Sequence, residues 1–207
     1  KNFHKKIGKF KNLKIIKPKF NTGQVGGINI GFKNIKTKYA LYMDPDVYFK
    51  KSLINNFLKK ANIIKDFIIL GPQHERSFYK KEFYSPKVSS FKDAILMRLI
   101  HGHFLFFNME KVKKVGNYDK NIWMYYDETD YCLRAFRKNE KIYIFPKFKV
   151  LHKSGSAIRS GKTLDIEAHH RWHMMWSKFY YYKKNYGLIK AYKNTYKDLL
   201  SSLIKYF

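Results

Sequence analysis

Strand-length apolar runs alternate along this chain with stretches whose apolar residues recur every three or four positions. The runs Tyr39–Met43, Phe67–Leu70, His101–Asn108, Ile142–Phe145 and Phe148–Leu151 carry few charges, as strands covered on both faces do. Leu13–Ile16 is a further short run, stopped by Pro18, and Gly71-Pro72 closes the run before it. Helical spacing covers Leu53–Ile64 with Ser52 as its cap, Met109–Val115 between Asn108 and Gly116, and Glu128–Lys138. It returns from Leu164 to Asn185 and in the tail Gly187–Phe207; Lys1–Lys11 reads as the end of a surface helix. Gln73–Lys92 is polar and irregular, a long loop with room for one edge strand. Strands and helices in this alternation predict an α/β domain.

One run ends in chemistry. In Tyr39–Val47, YALYMDPDV, Pro45 fixes its own φ and keeps Asp44 extended, so Asp44 and Asp46 leave the strand's carboxyl end together. In open α/β sheets that end faces the ligand. Paired carboxylates there can hold a hard divalent cation and, through it, a diphosphate; a plain polar turn is the other reading.

A second acidic cluster, Asp127, Glu128 and Asp130, follows the aromatic run Trp123–Tyr126 and opens a helix. Asp130 and Arg134 stand at i, i+4 and are expected to pair, a structural role. Asp127 and Glu128 at the helix entrance are freer, and an aromatic wall beside them would raise a carboxylate toward the working range of a base. The glycines of Asn21–Phe32 allow close backbone approach to a ligand, and the helix entered there can face a phosphate. The segment is neither a Walker loop nor GxGxxG. His152 closes a strand ahead of the Gly/Ser-rich loop Lys153–Lys162, whose Lys153, Arg159 and Lys162 suit a lid over a diphosphate. His169 and His173 are i, i+4 partners, but no third zinc ligand of the HExxH kind accompanies them.

Composition sharpens the picture only in part. With 207 residues, one substantial core is the natural expectation. The single cysteine, Cys132, excludes an internal disulfide and fits a reducing compartment. The most apolar stretch, Ile95–Phe107, is broken by Arg98, His101 and His103, so no run is long enough to span a bilayer. A net charge of +28 invites a nucleic-acid reading, but only six of the 43 basic residues are Arg and they form no stripe. The charge points instead to a general attraction toward nucleotides and anionic membrane surfaces. The tail sets apolar residues at helical intervals among lysines, which reads as a membrane-surface helix or as one packed on the domain.

Taken in order, these features resemble the family 2 glycosyltransferases of GT-A fold, most of all the rhamnosyltransferase-like branch that builds bacterial surface polysaccharides. Asn21–Gly31 is similar to the family's Asn/Gly-rich segment beside the nucleotide, and Asp44-Pro45-Asp46 stands where its Asp-x-Asp or Asn-Pro-Asp metal motif falls. Gly102 is similar to an acceptor-side glycine that begins a strand. Val115–Asp119, then Tyr125-Tyr126-Asp127-Glu128-Thr129-Asp130 and Arg134, resemble the G-x-F-D … Y-x-E-D-x-D-x-x-x-R block, and His152 matches the metal-side histidine. The resemblance covers most of residues 13–155.

It implies a mixed central sheet flanked by helices, with residues 1–163 as the transferase domain and 164–207 as a C-terminal helical extension. It implies an enzyme that moves a sugar from a nucleoside-diphosphate sugar to a saccharide or lipid-linked saccharide with inversion; the lone cysteine suggests a cytoplasmic setting, and the tail's own pattern leaves 187–207 either peripheral on the membrane's inner face or packed on the domain. Asn21, Gly23, Gly26, Gly27, Asn29, Asp44 and Asp46 would hold the nucleotide. Asp44, Asp46 and His152 would hold Mg²⁺ or Mn²⁺. Gly102, Trp123, Tyr125 and Tyr126 would floor the acceptor site. The family's catalytic aspartate position falls on Glu128, with Asp127 as its rival. The chain lacks an initiator Met and begins after the family's strand–helix–strand unit for the nucleotide base, so the resemblance implies an N-terminal truncation. The competing classes are a degenerate transferase-like binding domain and, more distantly, a basic nucleic-acid module or a metal-dependent hydrolase.

Overall fold

The computed structural model describes residues 12–74, 79–87, 89, 91–153 and 163–206, with backbone alone at 163–165 and 204–206. The helix expected at Lys1–Lys11 and the lid residues Arg159 and Lys162 lie outside the described residues. Helix α1 is Gly23–Asn34, strand β1 Tyr39–Met43, β2 Val47–Tyr48, α2 Ser52–Ile64 and β3 Ile69–His74. Beyond a single 3₁₀ turn at Lys81–Phe83 come β4 Ile95–Met97, β5 Phe104–Asn108, α3 Met109–Val115 and α4 Asp127–Arg137. Then follow β6 Ile142–His152, α5 Thr163–Tyr186 and α6 Leu188–Tyr206.

The strands form one mixed sheet in the order β1-β5-β3-β6-β2, with β4 also on β6. Among the described strands only β3 and β6 run parallel; β1–β5, β3–β5, β4–β6 and β2–β6 are antiparallel. Alternation along the central strands sorts their side chains to two faces. Phe104 and Phe106 of β5, with Tyr143 and Phe145 of β6, pack against Leu53, Phe57, Ala61 and Ile64 of α2. Leu105, Phe107, Ile142 and Ile144 face the other way, onto Val25, Ile28 and Phe32 of α1 and onto α3 and α4. The result is three layers, helix on sheet on helix, which is why the strands read as continuous apolar runs.

Several elements differ from expectation for identifiable reasons. Leu13–Ile16 forms no strand and lies exposed, because among the described residues no strand pairs with it. Strand β3 continues through Gly71-Pro72: beyond Leu70 it pairs with β6 only, and the register shifts between Pro72 and Gln73, a place where a missing amide is tolerated. The same shift absorbs Pro146, so Ile142–His152 is one strand rather than two. A Cβ at Gly71 would press on the end of the Ile100 side chain, which would have to shift to admit it. Strand β4 begins just beyond the expected loop, rather than inside it, and is a three-residue edge on β6. Ser52 sits in the first turn of α2 with Lys51 at the cap. Asn108 caps α3 as expected, its Oδ1 accepting the Glu110 amide at 3.2 Å, and Gly116 ends that helix at φ +93.

Phe57 has no exposed surface and touches the rings of Phe104, Phe106, Phe145 and Phe148 with centroids 5.0–6.0 Å away. Phe57→Ala is expected to cost about 3–5 kcal/mol in urea unfolding, and a loss under about 1 kcal/mol would show that α2 contributes little to the core.

Candidate active site

The turn Asp44-Pro45-Asp46-Val47 is closed by the Val47 amide donating to the Asp44 carbonyl at 3.2 Å. The Asp44 amide donates to the His103 carbonyl at 3.0 Å, tying the end of β1 to the approach of β5. Across the sheet, Val47 pairs with His152 and the Lys153 amide donates to the Asp46 carbonyl at 3.1 Å. This ladder sets the His152 Nε2 at 3.0 Å from an Asp46 oxygen and 3.6 Å from an Asp44 oxygen. One donor atom from each of the three lies within 4.8 Å of the others, and all three side chains are partly exposed. Two carboxylates and an imidazole at that spacing fit an oxygen-preferring divalent cation such as Mg²⁺ or Mn²⁺. Burial raises the Asp44 carboxyl above the usual range, and the Asp46 charge adds to the rise; the Tyr42 hydroxyl and His152 oppose it.

Supporting side chains surround this trio. The Tyr42 hydroxyl donates to Asp44 at 2.6 Å and accepts from the Gln24 amide at 3.3 Å, so α1 holds the aspartate through β1. His103 stacks on His152 with centroids 5.0 Å apart and planes 16° off parallel. Burial, and then the neighbouring imidazoles of His152, His101 and His74, push His103 down to about 3, so it packs as a neutral ring. The His152 amide donates to the His74 ring nitrogen at 3.3 Å. Sequence spacing did not reveal these supports, because β3, β5 and β6 bring them together from distant segments. The faint signals were the i, i+2 alternation of Tyr42 with Asp44 and of His101 with His103.

The second carboxylate pair sits at the amino end of α4. Asp127 is almost fully buried and Glu128 partly so, and their side chains share a hydrogen bond. Burial and the Asp127 charge raise Glu128 well above the ordinary glutamate range; burial and the Asp44 charge raise Asp127. Both acids therefore hold a proton more readily than free carboxyls do, and Asp44 is near enough for its field to reach both. A Cβ on Gly102 would stand 3.8 Å from the Glu128 carboxyl, which places this glycine in the turn before β5, against the acid pair. Asp130, with no exposed surface, bonds Arg134 Nε at 2.8 Å and Lys184 Nζ at 2.7 Å. It thus joins α4 to α5.

The turn into α4 is strained: Tyr125 and Tyr126 both adopt positive φ, +62 and +58. Helix α5 holds it in place, with the Ser177 hydroxyl donating to the Met124 carbonyl at 2.8 Å. The three aromatics expected to floor an acceptor site separate onto different neighbours, because this turn points them apart. Trp123 stacks on His173, Tyr125 meets His170, and Tyr126 packs against Tyr181 and Tyr182. Gly23, at φ +68, meets the Trp123 ring, while Gly27 and Gly31 open onto free space. A Cβ on Gly26 would press on Thr22, and Asn21 Oδ1 accepts the Gly23 amide at 3.0 Å. Asn29 is engaged at both ends of its amide by the Tyr118 backbone, at 3.0 and 2.9 Å, and pins the loop ahead of the acid pair.

This fold is shared with several solved structures. GalNAc-T7 with UDP, GalNAc and Mn²⁺ superposes with a TM-score of 0.61 at 12% identity, over 73% of this chain and 34% of that one. A mannosyltransferase from Pyrobaculum calidifontis with GDP-Man and Mn²⁺ gives 0.59 at 11%, over 92% and 52%. TarS 1–349 from S. aureus gives 0.58 at 12%, over 97% and 67%. The chain thus has the GT-A fold and spans between about a third and two thirds of these proteins' lengths. No curated protein sequence matches it significantly. The sequence profile of glycosyl transferase family 2 matches residues 1–159, and the chain belongs to that family.

The raised pair has a consequence for stability. A carboxyl raised on folding leaves the native state holding more protons than the unfolded chain, so stability falls as pH climbs from the ordinary carboxylate range through the raised value. Glu128→Gln should flatten that fall and stabilise the protein at neutral pH, by about 1.4 kcal/mol for each unit of elevation. Thermal melts across that range check it, and a variant with lower neutral-pH stability and an unchanged slope contradicts the raised pair.

Proposed function

We propose that this chain is the catalytic domain of an inverting, metal-dependent glycosyltransferase. It moves a sugar from a nucleoside-diphosphate sugar to a hydroxyl of a saccharide or lipid-linked saccharide. The observation that carries the reading is that the Asp44–Asp46–His152 trio lies near enough to the Asp127–Glu128 pair for the Asp44 charge to raise both acids. Membership of glycosyl transferase family 2 supports the reaction class. The resemblance to the rhamnosyltransferase-like branch supports a place in cell-surface polysaccharide assembly.

Asp44, Asp46 and His152 would hold the cation, Mg²⁺ or Mn²⁺, with Tyr42 and His103 fixing the orientation of the first and last. When bound, such a cation stabilises the negative charge that develops on a departing nucleoside diphosphate. The acid pair acts on the acceptor. Once deprotonated, Glu128 (or its partner Asp127) accepts the proton of the acceptor hydroxyl. The oxygen then bonds to the anomeric carbon from the face opposite the diphosphate, and the carbon–oxygen bond to the diphosphate breaks with its electron pair. One displacement inverts the anomeric centre, as in hydrolases that use one carboxylate across the ring. A burial-raised carboxylate is well matched to that proton transfer near neutrality.

The assignment separates cleanly by mutation. Glu128→Gln should lower sugar transfer about 10²–10⁴-fold, with calorimetric binding of nucleoside diphosphate and Mn²⁺ nearly unchanged. Near-normal turnover in Glu128→Gln beside a dead Asp127→Asn would move the base to Asp127. Asp46→Ala should abolish the metal-dependent part of nucleoside-diphosphate binding, and an unchanged metal titration would reduce Asp44-Pro45-Asp46 to a turn.

A further inference from the structure

Helix α6 packs on α5 with the side that sequence periodicity would have sent outward. The stripe turned toward α5 runs from the buried Ala191 and Thr195 to the half-buried Asp198 and Ser202, small or polar residues at i, i+4, i+7 and i+11. That stripe is satisfied internally. Thr195 Oγ1 donates to the Ala191 carbonyl at 2.8 Å, Ser202 Oγ to the Asp198 carbonyl at 2.8 Å, and Asp198 pairs with Lys178 of α5 at 2.8 Å. The bulky apolar residues lie on the adjacent sector and face solvent: Tyr192 is 59% exposed and Leu203 45%. Across the hairpin, Trp172 and Trp176 of α5 are exposed too, at 58% and 45%, and the Phe179 ring meets Tyr192 at 5.4 Å. Trp172 and Trp176 with Tyr192, Tyr196, Leu199 and Leu203 thus line one side of the two-helix hairpin. Exposed apolar ground of this extent marks an interaction surface.

Its chemistry selects the occupant. Lys190, Lys193 and Lys197 border the apolar sector, all exposed, and Lys197 Nζ lies 6.0 Å from the centre of the Tyr196 ring. Trp and Tyr bordered by Lys on one face of a helix are the residues that settle at the headgroup level of a bilayer. A chain of net charge +28 repels a second copy brought face to face along these lysines, whereas an anionic surface neutralises them. No described helix is long and apolar enough to cross a membrane, so the contact lies in the plane of the surface. We propose that the α5–α6 hairpin docks this protein on anionic lipid bilayers through the Trp172–Leu203 face. On the hairpin's inner side, a cleft of about 330 Å³ lined by Tyr125, His170, Arg171 and Ser202 lies between the two helices and the turn into α4.

The test needs no sugar nucleotide, so its result is independent of the transfer reaction. The whole chain is sedimented with vesicles of equal parts phosphatidylglycerol and phosphatidylcholine, and with vesicles of phosphatidylcholine alone. Binding is expected to the first and to be at least about tenfold weaker to the second. Leu199→Ser with Leu203→Ser, which changes no charge, should weaken binding at least about tenfold with circular dichroism unchanged. Lys193→Glu with Lys197→Glu should weaken it at least about tenfold more than Lys36→Glu with Lys59→Glu, a charge-matched pair placed elsewhere. Equal binding to both vesicle types, a leucine variant that binds like the parent, or equal losses from both lysine pairs would overturn the proposal. So would light scattering that shows a dimer dissolved by the leucine substitutions.

Discussion

The parallel ladder between β3 and β6 is the constraint on which the site depends. It carries β6 past the bulge opposite Pro72 and Gln73 and far enough along the sheet to reach β2, where His152 falls opposite Val47. Without that register the imidazole would not stand beside Asp46, and the Asp44-Pro45-Asp46 turn would be an acidic corner with no third donor. The bulge is what reconciles two prolines with a central position: Pro72 and Pro146 both lie where the ladder is already interrupted.

A second constraint works from the opposite wall. Helix α5 holds the strained Tyr125-Tyr126 turn through Ser177, and its Lys184 bonds both Asp119 and Asp130. The amino end of α4 is thereby fixed with Asp127 and Glu128 facing the region that Asp44 also charges. Strain of this kind, on the order of 1–3 kcal/mol for a residue, persists only where the surroundings over-determine it. The C-terminal helices are therefore part of the architecture of the acid pair as well as a surface for contact.

Much of this was legible in the chain. Tyr39–Met43 and Met109–Val115 appear with the bounds their apolar runs and caps predict, because local pattern and tertiary packing agree there. Local rules fail where the sheet overrides them. Leu13–Ile16 has the composition of a strand but no partner among the described residues, and Gly71-Pro72 has the look of a stop but lies inside β3. Asp44, Asp46, His152, Asp127 and Glu128 could be picked out as chemistry-bearing residues at element ends, and the fold brings the first three within reach of one ion. Their supports could not. Tyr42, Gln24, His103 and His74 act through contacts between segments far apart in sequence, and the divergence of Trp123, Tyr125 and Tyr126 follows from positive backbone angles that a run of aromatics does not announce. The hairpin is the converse case: α6 is amphipathic in sequence, but its apolar sector faces out because a small and polar stripe makes the helix contact.

The central claim is that Asp44, Asp46 and His152 form one metal centre that holds a nucleoside diphosphate. The most direct measurement is an anomalous difference map from crystals of the protein soaked with Mn²⁺ and UDP. The account predicts a single strong peak among the Asp44, Asp46 and His152 side chains, with diphosphate density beside it. A map with no peak there, or with the diphosphate bound away from these residues, would contradict it.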